Sequence, residues 1–371
     1  MDPAARRREI ERFNPNLPIE EAATPPSSWY TAPALYELER RAVFARSWQP
    51  VARVEQLITP GSYISGCLAG EPWVVTRGDD GALRAFHNVC RHKGHAVAHG
   101  SGRAERLVCG YHGWTYTLRG RLERAPRVAG IRDFDRAATS LAPMQVDTWG
   151  PWVFINADRE APPVRARVPE LDAFMQTTGW EQLRFVERRV WTLECNWKVY
   201  VDNYLDGGYH IPLMHPTLNA QLDMGSYKTI PFSACSIQTS APASVGDGRL
   251  DDAPGERIGD GATYAWIYPN FMLNRYGPCL DSNHVIPLGP DRCQVVYEFF
   301  FRETEGERAR GFIARSVAQA DITQREDIEI CESVQVGLRS ASYDQGRYAP
   351  RVELGEHHFH RLLAADLRAH A

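Results

Sequence analysis

The sequence predicts an α+β protein of two domains, an N-terminal all-β domain followed by a mixed domain whose strands precede its helices. Three observations predict it. Between residues 49 and 156, short apolar runs such as Trp73-Val74-Val75-Thr76 and Trp152-Val153-Phe154-Ile155 alternate with turns such as Gly78-Asp79-Asp80-Gly81. Residues 230–302 read as antiparallel strands, and residues 307–340 then switch to helical periodicity, an order that fits α+β rather than alternating α/β. The length of 371 residues also suits two domains.

In chain order, residues 1–47 give a polar start, a loop at Ala23-Thr24-Pro25-Pro26-Ser27-Ser28, and a helix carrying Leu35, Leu38, Ala42, Val43 and Phe44. This segment is expected to pack on a neighbouring domain. Residues 48–157 form the β domain, Ala161-Pro162-Pro163 a connector, and residues 158–371 the second domain. Within it, residues 186–193 read as a strand, 246–261 as a mobile loop and 359–369 as a short last helix.

Composition excludes several classes. The chain is 43% hydrophobic and 24% charged, with a net charge of −4 and no basic stripe, which argues against nucleic acid as the main partner. Arg6-Arg7-Arg8 is followed by Glu9 and Glu11 and reads as a solvated helix face. No apolar run reaches the roughly 18–20 residues of a membrane span, and no secretory signal is visible, so a cytoplasmic protein is expected. Eight cysteines are too sparse for a disulfide scaffold. There is no G-x-G-x-x-G, P-loop or G-x-S-x-G motif, so a bound nicotinamide, flavin or nucleotide is not expected.

Two constellations carry chemistry. In the β domain, Cys90-x-His92 and Cys109-x-x-His112 are separated by 16 residues. Two Cys and two His could make a structural zinc site. Each loop, however, offers one Cys and one His, which is what a Rieske 2Fe–2S cluster takes, with two thiolates on one iron and two imidazoles on the other. Trp114 and Tyr111 are expected to shield such a cluster. His87, His95 and His99 lie off the pattern and read as surface or packing residues.

The second constellation is VDNYLDGGYHIPLMHP, residues 201–216. On a helix Asp202, Asp206 and His210 share one face. His215 would lie about 140° further round, and Pro212 is expected to end the helix near His210 so that the two imidazoles can converge. Two imidazoles and one carboxylate make a facial triad for non-heme iron; two ordinary histidines at a helix end are the alternative. The candidate carboxylate is Asp327, on a stripe otherwise formed by Ile330, Cys331, Val334 and Leu338. A carboxylate there is costly unless bound to metal or paired in a salt bridge. Glu326, Glu329 and Glu332 fall off that stripe and read as water-facing. Asn203 is placed to hydrogen-bond near the iron. A cluster beside a triad reads as an oxygenase, whereas a plain electron carrier, the rival reading, has no need of His210, His215 and Asp327.

These motifs, together with TPPSSWYTAPALYELE, LECNWKVYVDNYLDGGYHIPLMH, YPNFMLNRYGP, HVIPLGP, REDIEICESVQ and GEHHFH, make the chain resemble Rieske non-heme iron oxygenase α subunits, and most narrowly the choline monooxygenases. The resemblance implies a Rieske domain joined to a helix-grip (START-like) catalytic domain. It implies cluster ligands Cys90, His92, Cys109 and His112, and Fe(II) ligands His210, His215 and Asp327. It also implies a ring-shaped homo-oligomer, commonly a trimer, in which one subunit's cluster feeds its neighbour's iron. The implied reaction is hydroxylation at a carbon next to nitrogen, choline to betaine aldehyde, with O₂ and electrons from a ferredoxin or flavin reductase. N-demethylation of carnitine, glycine betaine or another methylated amine is the closest alternative. Many members carry an acid three residues before the first iron histidine; that position is Gly207 here, so Asp206 is expected to bridge cluster and iron, with Asp202 in support. For the quaternary ammonium, Tyr264, Trp266 and Tyr268 share one strand face and are the expected aromatic cage, with Tyr276 and Tyr297 in reserve. The alternative for that face is a sheet core.

Overall fold

The computed structural model describes residues 1–243 and 257–371. The loop expected at 246–261 falls for the most part outside them. The chain divides into two compact units, residues 44–166 and residues 1–43 with 167–371. Among the described residues no helix is long and apolar enough to cross a membrane.

The first unit is all β. Strands β1 (Gln49–Arg53), β2 (Ser62–Leu68), β3 (Glu71–Arg77), β4 (Leu83–His87), β5 (Ser101–Arg103), β9 (Pro143–Trp149) and β10 (Trp152–Asn156) form one sheet in the order β1-β10-β9-β4-β3-β2-β5. Strands β6 (Arg106–Val108), β7 (Thr115–Thr117) and β8 (Leu122–Arg124) form a second. Val74, Phe86, Trp114 and Tyr116 pack together between them, and Cys90 and Cys109 belong to the same buried cluster.

The second unit is a seven-stranded antiparallel sheet gripped by helices. β11 (Arg184–Leu193), β12 (Lys228–Pro231), β13 (Cys235–Ser240), β14 (Ala262–Ile267), β15 (Phe271–Tyr276), β16 (Cys279–Gly289) and β17 (Arg292–Phe301) take the order β11-β17-β16-β15-β14-β13-β12. Its helices include α1 (Pro3–Glu11), α2 (Pro33–Ala42), α3 (Pro169–Thr177), α4 (Trp197–Leu205), α5 (Ile211–Met214), α6 (Gly306–Leu338) and α7 (Leu354–His370). α4 lies against β16 and β17 and is covered by α6. Asn196 caps α4, its side chain accepting from the Lys198 amide, and its own amide donates to Gln335 on α6.

Several expectations are corrected. The helix carrying Asp202 ends at Leu205, not near His210. Gly207 and Gly208 take φ of +72° and +74°, a left-handed stop. There is no room for a side chain at 207, since its Cβ would collide with the Val352 carbonyl oxygen. Pro212 opens the short α5 rather than closing α4, because its fixed φ suits a first turn. α3, for which the sequence carried no expectation, has Pro169 at its start and Glu170 and Asp172 in its first turn, which are helix signals. α7 begins at Leu354, five residues early, because its buried face opens with Gly355 and His357. On α6, Val334 is exposed, and the buried stripe runs through Gln324, Asp327, Cys331, Gln335 and Leu338.

A buried ion pair ties the N-terminal segment to α4. Lys198 Nζ lies 2.6 Å from Glu39 Oε1, both side chains fully buried, and Trp197 Nε1 donates to Glu39 Oε2. Breaking one partner of such a pair strands a charge. Glu39→Gln should therefore lower unfolding stability by about 3–5 kcal/mol in denaturant melts. Adding Lys198→Met should recover most of the loss; a single variant as stable as the parent would contradict this account.

Candidate functional site

In the first unit the two Cys-His loops close by the same backbone pattern. Gly94 N donates to Cys90 O and Cys90 N to His95 O; Gly113 N donates to Cys109 O and Cys109 N to Trp114 O. Each loop turns on a glycine with positive φ, Gly94 at +77° and Gly113 at +71°. Asn88 fixes the first loop, donating to the Ala98 carbonyl and accepting from the Val97 and Ala98 amides.

These turns bury both thiols and leave both imidazoles near the surface. Cys90 and Cys109 are free thiols, 2% exposed. Burial, with the neighbouring Cys90 thiol, raises the Cys109 pKa. Tyr116 Oη sits 3.4 Å from Cys90 Sγ and accepts from the Arg91 amide. His92 and His112 have ring centroids 4.6 Å apart, and His92 stacks on Trp114 at 4.9 Å. His92 Nδ1 is buried without a hydrogen-bond partner. An orphaned imidazole nitrogen and two reduced buried thiols fit a metal cluster. Tyr111, 62% exposed, meets the rings of His112 and His95 and covers the site from outside, whereas Trp114 is buried beneath it. His87 is hydrogen-bonded to Glu71, while His95 and His99 stand together on the surface.

In the second unit the structure brings His210, His215 and Asp327 together. His215 Nε2 lies 3.1 Å from both His210 Nε2 and Asp327 Oδ1, and His210 Nε2 is 3.8 Å from Asp327 Oδ1. Ligands bonded at roughly 2 Å to a six-coordinate ion stand about 3 Å apart, so this triangle fits one. Both outer nitrogens are held by carboxylates at 2.6 Å, His210 Nδ1 by Asp206 Oδ2 and His215 Nδ1 by Glu326 Oε2. Each bond places a proton on Nδ1 and frees the Nε2 lone pair for metal. Asn203 Nδ2 donates to Asp327 Oδ1 at 2.8 Å.

Asp206 contacts His210 because the helix stops before it. Its carboxylate collects the amides of Gly208, Tyr209 and His210 and wraps the loop around itself. Asp202 does not support Asp206. It accepts from Tyr30 Oη at 2.7 Å and lies 3.0 Å from His360 Nε2. Glu326, expected to face water, instead holds His215; its place directly before Asp327 was the available signal.

Strand register assembles a cavity over this triad. Gln238 pairs with Tyr264, Tyr264 with Asn274, and Asn274 with Asp281, in one row across β13 to β16; Asn283 pairs with Tyr297 alongside. The cavity is lined by Tyr204, Tyr227, Tyr264, Tyr276, Tyr297 and the three triad residues, among others. Tyr264 meets Tyr204 edge-on, stacks on Tyr227 and meets Tyr276 edge-on, with centroids 6.4, 6.1 and 5.9 Å away. Burial pushes the Tyr264 phenol up to about 12, so the wall is a neutral aromatic surface near pH 7. Trp266 and Tyr268 are not part of it. Trp266 is fully buried against Phe359 and donates to the Pro269 carbonyl, and Tyr268 donates to Asp366. Tyr204 and Tyr227, which no strand pattern singled out, take their place.

Residues 47–135 match the Rieske [2Fe–2S] domain, and residues 180–369 match the ring hydroxylating alpha subunit (catalytic domain). The chain belongs to the Rieske non-heme iron oxygenase α subunits. It is 42% identical to the chloroplastic choline monooxygenase of Arabidopsis thaliana, over 97% of this chain and 86% of that one. It is 32% identical to the carnitine monooxygenase oxygenase subunit of Escherichia coli (strain K12), over 93% and 94%. A solved quaternary ammonium Rieske monooxygenase in complex with L-carnitine superposes with a TM-score of 0.79 at 29% identity, covering 96% of this chain and 97% of that one. The oxygenases of this family carry a Rieske cluster and a mononuclear iron, and the zinc alternative falls away.

Burial lowers the His215 pKa, but Asp327 and Glu326 outweigh it and hold the imidazole above its usual range. Metal must displace that proton. Fe(II) affinity of the apoprotein should therefore fall, as pH is lowered, around a midpoint above the ordinary imidazole value of about 6.5. Glu326→Gln should move the midpoint down, read by metal titration at stepped pH; an unmoved midpoint would remove Glu326 from this role.

Proposed function

We propose that the chain is a monooxygenase of a small quaternary amine, choline, which it converts to betaine aldehyde with O₂ and electrons from a ferredoxin or flavin reductase. We assign Cys90, His92, Cys109 and His112 to the cluster and His210, His215 and Asp327 to the iron. When bound, the cluster supplies electrons singly and the iron activates oxygen. One observation carries the reading: a cavity walled by neutral tyrosine rings opens onto that triad.

A quaternary ammonium donates no hydrogen bond, so ring faces and nearby carboxylates must hold it. Tyr204, Tyr227, Tyr264 and Tyr276 supply the rings, and Asp206 and Asp327 the negative charge. Asn203 holds Asp327 Oδ1, while Asp206 and Glu326 fix the two imidazoles. Chemistry corrects the expected position of attack. Betaine aldehyde requires hydroxylation of the carbinol carbon: the alcohol, O₂, two electrons and two protons give a gem-diol and water, and the diol then loses water. Hydroxylation at a carbon bonded to nitrogen gives a hemiaminal that breaks the C–N bond, which is the outcome for the carnitine-type reading. The identity to choline monooxygenase and the acidic, aromatic lining support choline. We also propose a cytoplasmic homotrimer, in which Asp206, held on His210, links the iron to a neighbour's cluster.

Turnover with a reductase and a panel of quaternary amines, products read by mass spectrometry, should give betaine aldehyde from choline. Trimethylamine or formaldehyde as the main product would favour C–N cleavage, and absence of oxygen uptake would leave an electron carrier. Asp206→Asn should keep both metal centres yet slow single-turnover oxidation of the pre-reduced cluster by at least about tenfold, the size of effect a lost ligand-supporting carboxylate produces. Asp202→Asn at wild-type speed is the expected control; the reverse pattern would move the link to Asp202.

A further inference from the structure

Behind the tyrosine wall lies a buried ion pair that the chemistry at the iron does not use. Arg257 and Asp281 have side chains 7% and 3% exposed, with Arg257 Nη2 2.9 Å from Asp281 Oδ1. The Arg257 guanidinium lies over the face of Tyr276, its Cζ 4.3 Å from the ring centroid. Tyr276 lines the cavity, so a permanent cation stands one aromatic ring away from where the substrate is held. A cation on a ring draws on the same negative quadrupole that a substrate ammonium needs.

Asp281 answers that charge, and it is itself built in. Its second oxygen accepts from Asn274 Nδ2 at 2.8 Å. Asn274 also donates to Asn283 and accepts from Tyr204 Oη, and both asparagines line the cavity. The carboxylate is thus tied by cross-strand partners to the wall it protects.

We infer that Asp281 is a specificity-determining residue: by neutralising Arg257 it keeps the cavity hospitable to a cation lacking a carboxylate and withholds from zwitterions the guanidinium they would need. This rests on the proposed substrate class and names the choice within it. Choline and glycine betaine share the trimethylammonium group and differ in carrying a hydroxymethyl or a carboxylate. Their affinities therefore report the sign of the field that the pair behind Tyr276 sets in the cavity.

The test is equilibrium binding and KM for choline and glycine betaine in the metal-loaded enzyme. Wild type should prefer choline. Asp281→Asn leaves Arg257 uncompensated, and the choline-to-betaine affinity ratio should fall by about tenfold or more, the effect of a unit charge within a nanometre at an effective dielectric near 20. Asp281→Asn with Arg257→Met restores neutrality and should return the ratio to near the wild-type value. Cluster spectrum and iron content report folding of each variant. An unchanged ratio in Asp281→Asn overturns the inference and leaves the proposed function standing. A double variant as impaired as the single makes Asp281 a structural strut and also overturns it. A wild-type enzyme that binds neither amine overturns both.

Discussion

The catalytic unit depends on two carboxylate–imidazole hydrogen bonds. Asp206 holds His210 and Glu326 holds His215, each at 2.6 Å through Nδ1. Only with both outer nitrogens so engaged do the two Nε2 atoms face each other and Asp327 across about the separation a metal spans. The two acids come from different elements. Asp206 follows the end of α4, and Glu326 precedes Asp327 on α6, so the packing of α6 on α4 brings the supports and the ligands into place at once.

That packing is fixed by buried polar residues as much as by apolar ones. Asn196 is joined to Gln335 and Tyr200 to Gln324 across α4 and α6, Tyr200 also to Tyr297 on β17, and Lys198 to Glu39 on α2. Each group is nearly or fully buried, and each would be costly unpaired, so these bonds select one register of helix on sheet. The same sheet then sets the wall of the cavity, because cross-strand pairing lines up Gln238, Tyr264, Asn274 and Asp281. The first unit solves a simpler problem: two glycine-turned loops bury a thiol each and leave an imidazole each toward the surface.

Much of this was legible in the sequence, where local chemistry decided the outcome. Cys90, His92, Cys109 and His112 are spaced by two short loops, and no long-range packing is needed to see their pattern. Asp327 stood out because a carboxylate on a buried stripe is costly, and the structure brings it together with His210 and His215. What failed was the backbone between them. Helical spacing put Asp206 on the face of His210, and the contact exists, but it is made by a left-handed Gly207-Gly208 turn. The cage failed differently. Period two put Tyr264 and Trp266 on one face of β14, with Tyr268 just past its end, yet that face is shared between the cavity and α7, and the boundary falls between 264 and 266. Tyr204 and Tyr227 lie outside the strands and meet Tyr264 only in the folded sheet. Glu326 looked solvated because one helical stripe was taken to be the whole buried surface.

The central claim is that reducing equivalents held on the cysteine–histidine cluster are spent on an amine at the His210–His215–Asp327 centre. A single turnover of pre-reduced, metal-loaded enzyme, mixed with choline and oxygen, tests it most directly. The account predicts cluster oxidation in step with betaine aldehyde formation, and in Asp327→Ala an unaltered cluster spectrum with neither event. Product at the wild-type yield from Asp327→Ala, or cluster oxidation in the wild type without any amine product, would contradict it.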